Sequence, residues 1–301
     1  MIIWHRKSNE TFKEMLYCKF GRSIAEKFLI PYNKKLYACD LDKLDKDAMG
    51  RFFPYADKEQ IILSFRQPDN DSYNNMFAYP KGGAIQYINE ILCRLDSSRI
   101  KTEMEVCAIY PTKKKILTAT GEEFEYDNLV STIPFPRLLE LTGMVYDSDI
   151  YSWNKVLVFN LGFDCKGPGQ TDHWIYFPED DYCFYRVGFY DNILNQDKMS
   201  LYVELGFHKD DEINPNEWLG RVLYDLRKAK LMSAGQVLVD YESIIMDPAY
   251  VHISEKSVKD VVTKKKQLAM DNIYSIGRYG SWTYCSIEDN IKEAYLLAEL
   301  K

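Results

Sequence analysis

Two stretches of this chain combine residue types at spacings that could do chemistry. The first is Ile276-Gly277-Arg278-Tyr279-Gly280-Ser281-Trp282-Thr283-Tyr284, followed by Ser286-Ile287-Glu288-Asp289 and a helical pattern. Its paired glycines let the backbone bend sharply and come close to a ligand. A cation stands between them, and the helix that follows would turn free N–H groups and a positive dipole end toward negative charge. The same residues also read as a glycine turn ahead of a C-terminal helix capped by Ser286. The second stretch is Tyr176-Phe177-Pro178-Glu179-Asp180-Asp181 with Phe184-Tyr185-Arg186, a hairpin pattern that would bring aromatics and an arginine together. Arg186 sits in an apolar strand, and an unpaired buried charge is costly, so its guanidinium must meet an anion. A diphosphate held bidentately is one candidate; Glu179, Asp180 or Glu204 of the chain itself is the other.

Two weaker signals lie upstream, at Tyr32-Asn33-Lys34-Lys35 and at Pro80-Lys81-Gly82-Gly83. A glycine pair opening a helix can hold an anion, though it is more often only a turn. The carboxylate pairs Asp40/Asp42 and Asp45/Asp47 belong to an exposed acidic run and are assigned no catalysis. There is no Ser-His-Asp, Cys-His or HExxH arrangement. The four histidines (5, 173, 208, 252) are scattered, and the seven cysteines are odd in number with no CxxC, so no metal is expected and a reduced, cytoplasmic setting is the simplest account.

The elements that must position these residues are legible as periodicities. Residues 10–30 carry apolar side chains at helical spacing, and Pro31 is expected to end that helix. Residues 40–75 are acidic and irregular, with short turns around Leu41–Met49. A second amphipathic helix follows Gly83, through Ile85, Ile88, Ile91, Leu92 and Leu95. The period then changes to two: 104–110, 116–120 and 123–126 read as a three-stranded meander and 128–133 as a short apolar strand. From 150 to 250 strands dominate (156–163, 174–177, 183–189, 200–206 and 236–245), with one helix at 217–230. Helix 258–270, strand 273–276, a tight turn at 277–280 and helix 287–300 close the chain. The fold class is mixed α/β, a largely antiparallel sheet beside parallel pieces.

With 301 residues, 46% apolar and 28% charged, the chain is long enough for a sizeable core and too apolar to be disordered. Its net charge of −7, with basic runs only at 113–115 and 264–266, argues against nucleic acid. No window approaches a membrane span or a signal sequence. The 23 tyrosines are the unusual number: they suit planar ligands and sugars, and they also fill cores.

Taken in order, these motifs resemble one family. The run Phe20-Gly21-Arg22-Ser23-Ile24-Ala25-Glu26-Lys27-Phe28-Leu29-Ile30-Pro31-Tyr32-Asn33-Lys34-Lys35-Leu36 is similar to a segment of UDP-galactopyranose mutases and related flavin-containing amine oxidoreductases, including protoporphyrinogen-oxidase-like proteins. The stretches 80–83, 129–133, 176–180, 184–186 and 277–284 match further motifs in the family's order, so the resemblance spans essentially the whole chain. It implies an FAD flavoprotein in which reduced flavin attacks the anomeric carbon of a sugar nucleotide and displaces UDP. By resemblance, Arg186 would bind the substrate diphosphate, with Tyr250 and Tyr284 donating hydroxyls to it and Lys81 and Tyr176 beside it. Val106 would meet the adenine through its backbone, Gly277 and Arg278 would line the FAD, and the helix start at Asp289 would face a flavin carbonyl.

Four departures qualify what the resemblance implies. Lys81 stands where the mutases carry an arginine, and Ile193 where they carry a phosphate-binding tyrosine. Ser286-Ile287-Glu288-Asp289 replaces their pattern at the last helix. The fifteen glycines include no GxGxxG, the turn that grips the FAD pyrophosphate. The expected chain is therefore an N-terminally truncated relative: a helical lid segment (1–75), a partial GR2-type FAD domain (76–148), an antiparallel substrate domain (149–255) and a return to the FAD domain (256–301). Its expected partner is a nucleotide sugar of polysaccharide metabolism, and self-association or a missing N-terminal segment is a further expectation. Two rival readings stand beside it, an FAD-dependent oxidoreductase of the amine-oxidase or protoporphyrinogen type and a non-catalytic fragment that binds a sugar nucleotide or a partner chain. The catalytic residues stay unassigned.

Overall fold

The computed structural model describes residues 11–49, 77–169 and 171–299, with 59, 62, 63 and 66 between them; most of the irregular run expected through residue 75 lies outside the described residues. Two compact units emerge, Met1–Lys46 with Phe53–Glu90 and Trp153–Tyr250, and Asp47–Phe52 with Ile91–Ser152 and Val251–Lys301.

The first unit opens with α1 (Phe12–Ile24), fixed at its start by a capping box in which Thr11 Oγ1 accepts from the Glu14 N–H and the Glu14 carboxylate accepts from the Thr11 N–H. Gly21, at φ +75°, breaks its regularity. Pro31 does not end the helix as expected. A π turn, Ala25–Leu29, widens the spiral, and α2 (Ile30–Tyr37) begins with Pro31 in its first turn, where no backbone N–H is needed. The buried Asn33 side chain donates to the Leu29 carbonyl at 2.7 Å and covers the junction. Helix α3 (Ile85–Leu92) follows the Pro80–Gly83 turn with its apolar residues exposed.

The second unit then supplies the antiparallel meander β1 (Val106–Tyr110), β2 (Lys115–Thr118) and β3 (Glu123–Glu125), strand β4 (Leu129–Ser131) and helix α4 (Phe135–Leu141). Back in the first unit come β5 (Ser152–Phe163), β6 (Trp174–Tyr176), β7 (Arg186–Phe189), the short helix α5 (Tyr190–Leu194), β8 (Ser200–His208), α6 (Pro215–Lys228) and β9 (Leu238–Met246). Their order in the sheet is β9-β5-β8-β7-β6, antiparallel throughout. The rest of the second unit is a two-residue strand β10 (Val251–His252), α7 (Glu255–Met270), β11 (Ile273–Ser275), α8 (Gly277–Gly280, a single helical turn) and α9 (Ile287–Glu299). Strand β11 pairs with β4 in parallel.

Strand alternation decides what each face of the large sheet does. Leu157, Phe159, Leu161 and Phe163 of β5, Val187 and Phe189 of β7, and Leu201, Val203 and Leu205 of β8 are buried together with Val222 and Leu226 of α6. The even-numbered residues therefore face the opposite way. In register they form one row of Ile244, Val158, Glu204, Arg186 and Tyr176 and a neighbouring row of Glu242, Asn160, Tyr202, Gly188 and Trp174. Helix α2 lies against this second face. A Cβ on Gly206 would come within 2.0 Å of the Lys35 carbonyl oxygen, so only glycine admits the helix there.

Candidate functional site

The centre of that second face is an arginine held by a carboxylate. Arg186 Nη2 lies 2.5 Å from Glu204 Oε1, and the hydroxyl of the fully buried Tyr185 donates to the other Glu204 oxygen at 2.5 Å. The sequence left the arginine's anion open; within the chain it is Glu204, directly opposite on β8, rather than Glu179 or Asp180. The pairing does not use up the guanidinium. Nε is buried and has no hydrogen-bond partner, and about a quarter of the side chain remains exposed. Burial works against the charge, but Glu204 and Tyr250 hold Arg186 well above its ordinary value, so it stays a cation.

Aromatic rings surround it. Tyr32 of α2 meets Tyr176 edge-on with centroids 4.9 Å apart, stacks on Phe28 at 5.6 Å and lies 6.1 Å from Tyr185. Tyr202 carries the Arg186 guanidinium over its ring at 5.7 Å. It can lie across β7 because Gly188 opposite has no side chain: a Cβ there would fall 1.9 Å from the ring. Burial keeps the Tyr32 and Tyr185 hydroxyls protonated and pushes Tyr202 up to about 12. Tyr250 joins from the loop after β9; its amide donates to Asn154 Oδ1 at 2.7 Å, while the fully buried Asn154 donates to the Leu36 carbonyl at 2.5 Å. In the next row Asn160 Oδ1 is buried without a partner.

Of the substrate residues expected from sequence, Arg186, Tyr176 and Tyr250 thus come together on one face of the first unit. Lys81 is exposed in the turn after the segment Phe77–Tyr79, whose Phe77 packs on Trp174 at 5.6 Å. Glu204 enters the sequence reading only as one possible partner of Arg186, and Tyr202 and Asn160 do not enter it. The signal for Glu204 and Tyr202 was the polar alternation of Leu201-Tyr202-Val203-Glu204-Leu205-Gly206 in an otherwise apolar strand.

Tyr284, Gly277, Arg278, Asp289 and Val106 lie in the second unit. Gly277, at φ +83°, donates its N–H to Glu293 Oε2 of α9 at 2.7 Å, and Ser281 Oγ donates to the other carboxylate oxygen at 2.8 Å. Arg278 lies over the Tyr284 ring at 4.3 Å and reaches the Cys285 carbonyl at 3.3 Å. Asp289 accepts from the Ser286 N–H at 2.8 Å, while Ser286 Oγ accepts from the Asp289 N–H at 3.2 Å, a reciprocal cap of α9. Val106 opens β1, where the pairing with β2 slips by one residue before Ala108. A cavity of about 440 Å³ lies between β1 and α4, but its Arg137 pairs locally with Glu140 at 3.2 Å and none of the expected site residues lines it.

A dinucleotide's pyrophosphate calls for several free N–H donors at a helix start. The Gly277 N–H is already taken by Glu293, and the start of α9 is capped from within. Arg278 and Tyr284 pack on each other, and these residues do not make a pyrophosphate grip. Among the described residues no cluster suits a metal ion, and no helix is long and apolar enough to cross a membrane.

The chain, with an antiparallel sheet in its first unit and a short parallel one in its second, has the fold of the amine-oxidase-like proteins to which UDP-galactopyranose mutases belong, as the sequence motifs implied. A crystal structure of reduced UDP-galactopyranose mutase superposes with a TM-score of 0.84 at 25% identity, over 93% of this chain and 64% of that one. The chain thus spans just under two thirds of that mutase. A putative protoporphyrinogen oxidase from Exiguobacterium sp. 255-15 gives a TM-score of 0.72 at 15% identity over 100% of this chain and 69% of its own. A fatty acid isomerase from P. acnes that produces CLA gives 0.63 at 14%, over 96% and 66%. The last two likenesses concern fold alone. No protein-family model matches the chain.

Proposed function

We propose that this chain carries the sugar-nucleotide-binding part of a UDP-galactopyranose-mutase-like flavoprotein, and that the second face of its large sheet binds the diphosphate of a nucleotide sugar. The carrying observation is Arg186: a cation on a tyrosine-lined sheet with a buried, unpartnered Nε. A buried donor without an acceptor costs about 1–3 kcal/mol, which an anionic oxygen would recover. Tyr176, Tyr202 and Tyr250 present rings and hydroxyls suited to a sugar and to phosphate oxygens. Lys81, in an exposed turn, adds a point charge rather than a bidentate fork.

FAD is the cofactor the resemblance implies; bound, it would supply the nucleophilic or redox centre. Gly277 and Arg278 would border it, with the backbone at Val106 beside its adenine. The chain's own residues bind and orient the substrate, and the pyrophosphate grip falls outside what Gly277 and α9 offer. A second reading is favoured by that same internal satisfaction of the Gly277 loop: a sugar-nucleotide-binding protein that does no chemistry by itself.

Calorimetric titration tests the binding claim. UDP should bind while uridine binds at least about tenfold more weakly, and Arg186→Ala should abolish the difference. Equal affinity for UDP and uridine, or undiminished UDP binding by Arg186→Ala, overturns the reading. FAD added to the chain alone should leave its melting temperature unchanged under either reading, and a stabilisation by FAD would show that the grip argument is wrong.

A further inference from the structure

The loop joining β6 to β7, residues 177–185, closes around a single cation. Lys35 of α2 points its ammonium into the loop and donates to the carbonyl oxygens of Phe177, Glu179 and Tyr182 at 2.9 Å each and of Phe184 at 2.6 Å. An ammonium has three protons, so four carbonyls share them. The loop backbone thus replaces the hydration shell of the amine, much as carbonyl rings do for a bare cation. The first and last of these carbonyls stand one residue after Tyr176 and two before Arg186. On its far side the loop is tied to α6: the Cys183 N–H donates to Asp225 at 2.8 Å, and Arg221 and Lys228 each donate to the Asp181 carbonyl at 3.2 Å.

We infer that Lys35 is a positioning residue for the sugar-nucleotide face: its ammonium closes the β6–β7 hairpin and so sets Tyr176 and Arg186 opposite Glu204, which makes ligand affinity depend on its charge. This rests on the sugar-nucleotide reading of that face. A neutral amine keeps two donors and gains a lone pair that must face a carbonyl oxygen, so deprotonation breaks the cage. Burial draws the Lys35 amine down to about 8. The other titratable groups facing it are Glu179, Asp180 and Cys183 from the loop and Asp225 from α6; burial pushes the Cys183 thiol up to about 12, so it stays protonated while Lys35 titrates. Because the protonated form closes the loop, affinity is present below the Lys35 titration and falls as pH rises through it.

The experiment compares wild type, Lys35→Arg and Lys35→Met by UDP titration at about pH 7 and about pH 9.5, which bracket the titration near 8. The ligand's own ionisation is common to all three proteins. At the lower pH, Lys35→Met should bind UDP about tenfold more weakly than wild type. Between the two pH values wild type should lose affinity that Lys35→Arg, which cannot deprotonate, retains. Hydrogen exchange is the second readout. Lys35→Met should lower protection of residues 176–186 about tenfold while leaving β5 and β8 unchanged. Wild-type UDP affinity in Lys35→Met, the same pH dependence in Lys35→Arg, or a protection loss spread evenly over the sheet would overturn the inference. Should wild type not bind UDP at all, the sugar-nucleotide reading fails, and the exchange pattern decides the role of Lys35 in the hairpin alone.

Discussion

At the scale of residues, Arg186 and Glu204 are held to each other before any ligand arrives. The pair is largely shielded, with side-chain exposures of 27% and 11%, and its carboxylate also accepts the Tyr185 hydroxyl. Removing one member of such a pair strands the other. Glu204→Ala should therefore cost about 3 kcal/mol, toward the lower end of the range because the arginine retains some water contact. Glu204→Gln, which keeps a carbonyl oxygen for Arg186 and can donate from its amide to the Tyr185 oxygen, should cost clearly less. Urea unfolding of the two variants decides this; equal losses would mean that the charge, and not the hydrogen-bond geometry, is what Glu204 provides. The need for an anion at Arg186 was legible in the sequence, because a guanidinium between apolar strand residues admits no other outcome. Which anion it was could not be read, since that depends on β7 aligning with β8 so that residue 186 faces residue 204. Asn160 was hidden for the same reason: it reaches the site face only through the β5–β8 register.

At the scale of elements, most strands and helices followed from their periods, and the failure at Pro31 is instructive. Proline stops a helix by lacking an N–H and by crowding the preceding turn. Here the preceding turn is already widened, with the Ile30 N–H reaching back to the Ala25 carbonyl, and Asn33 satisfies Leu29 from its side chain. The proline thus starts a new helix instead of ending the old one, and that continuation places Tyr32 and Lys35 over the sheet. The seat for α2 is Gly206. Its missing Cβ would meet a backbone oxygen at 2.0 Å, which cannot rotate away as a side chain could. Gly206→Ala must push α2 off β8, with an overpacking cost of about 3 kcal/mol. UDP affinity should fall with it, because Tyr32 and Lys35 travel on the same helix. A Gly206→Ala protein with wild-type melting temperature and wild-type UDP affinity would contradict this seating. Gly206 carried no sequence signal of its own; in β8 it simply occupies the next even position after Glu204.

At the scale of the whole molecule, the two units are built to different standards of burial. The first has a long antiparallel sheet whose β5 and β8 pair over nine positions and bury one full face under α6. In the second, β4 and β11 form a parallel sheet of only two strands, a kind of sheet that is ordinarily covered on both faces. Helix α9 beside it has no buried residue and exposes Ile287, Ile291, Tyr295 and Leu296. Its hold on the rest of that unit includes one carboxylate, Glu293, which binds the Gly277 N–H and the Ser281 hydroxyl and lies 3.4 Å from Lys265. Local stability tracks buried apolar contact, so the units should open at different free energies. In native-state hydrogen exchange, amides of β5 and β8 should exchange only through global unfolding, whereas those of α9 and β11 should exchange through smaller openings with protection at least about tenfold lower. Glu293→Ala should lower protection in α9 and at Gly277 further and leave β5 and β8 untouched. Uniform protection across α9, β11, β5 and β8 would mean that the exposed face of α9 is covered in solution. The stability of the second unit would then come from contacts other than its own, and the tether through Glu293 would matter little.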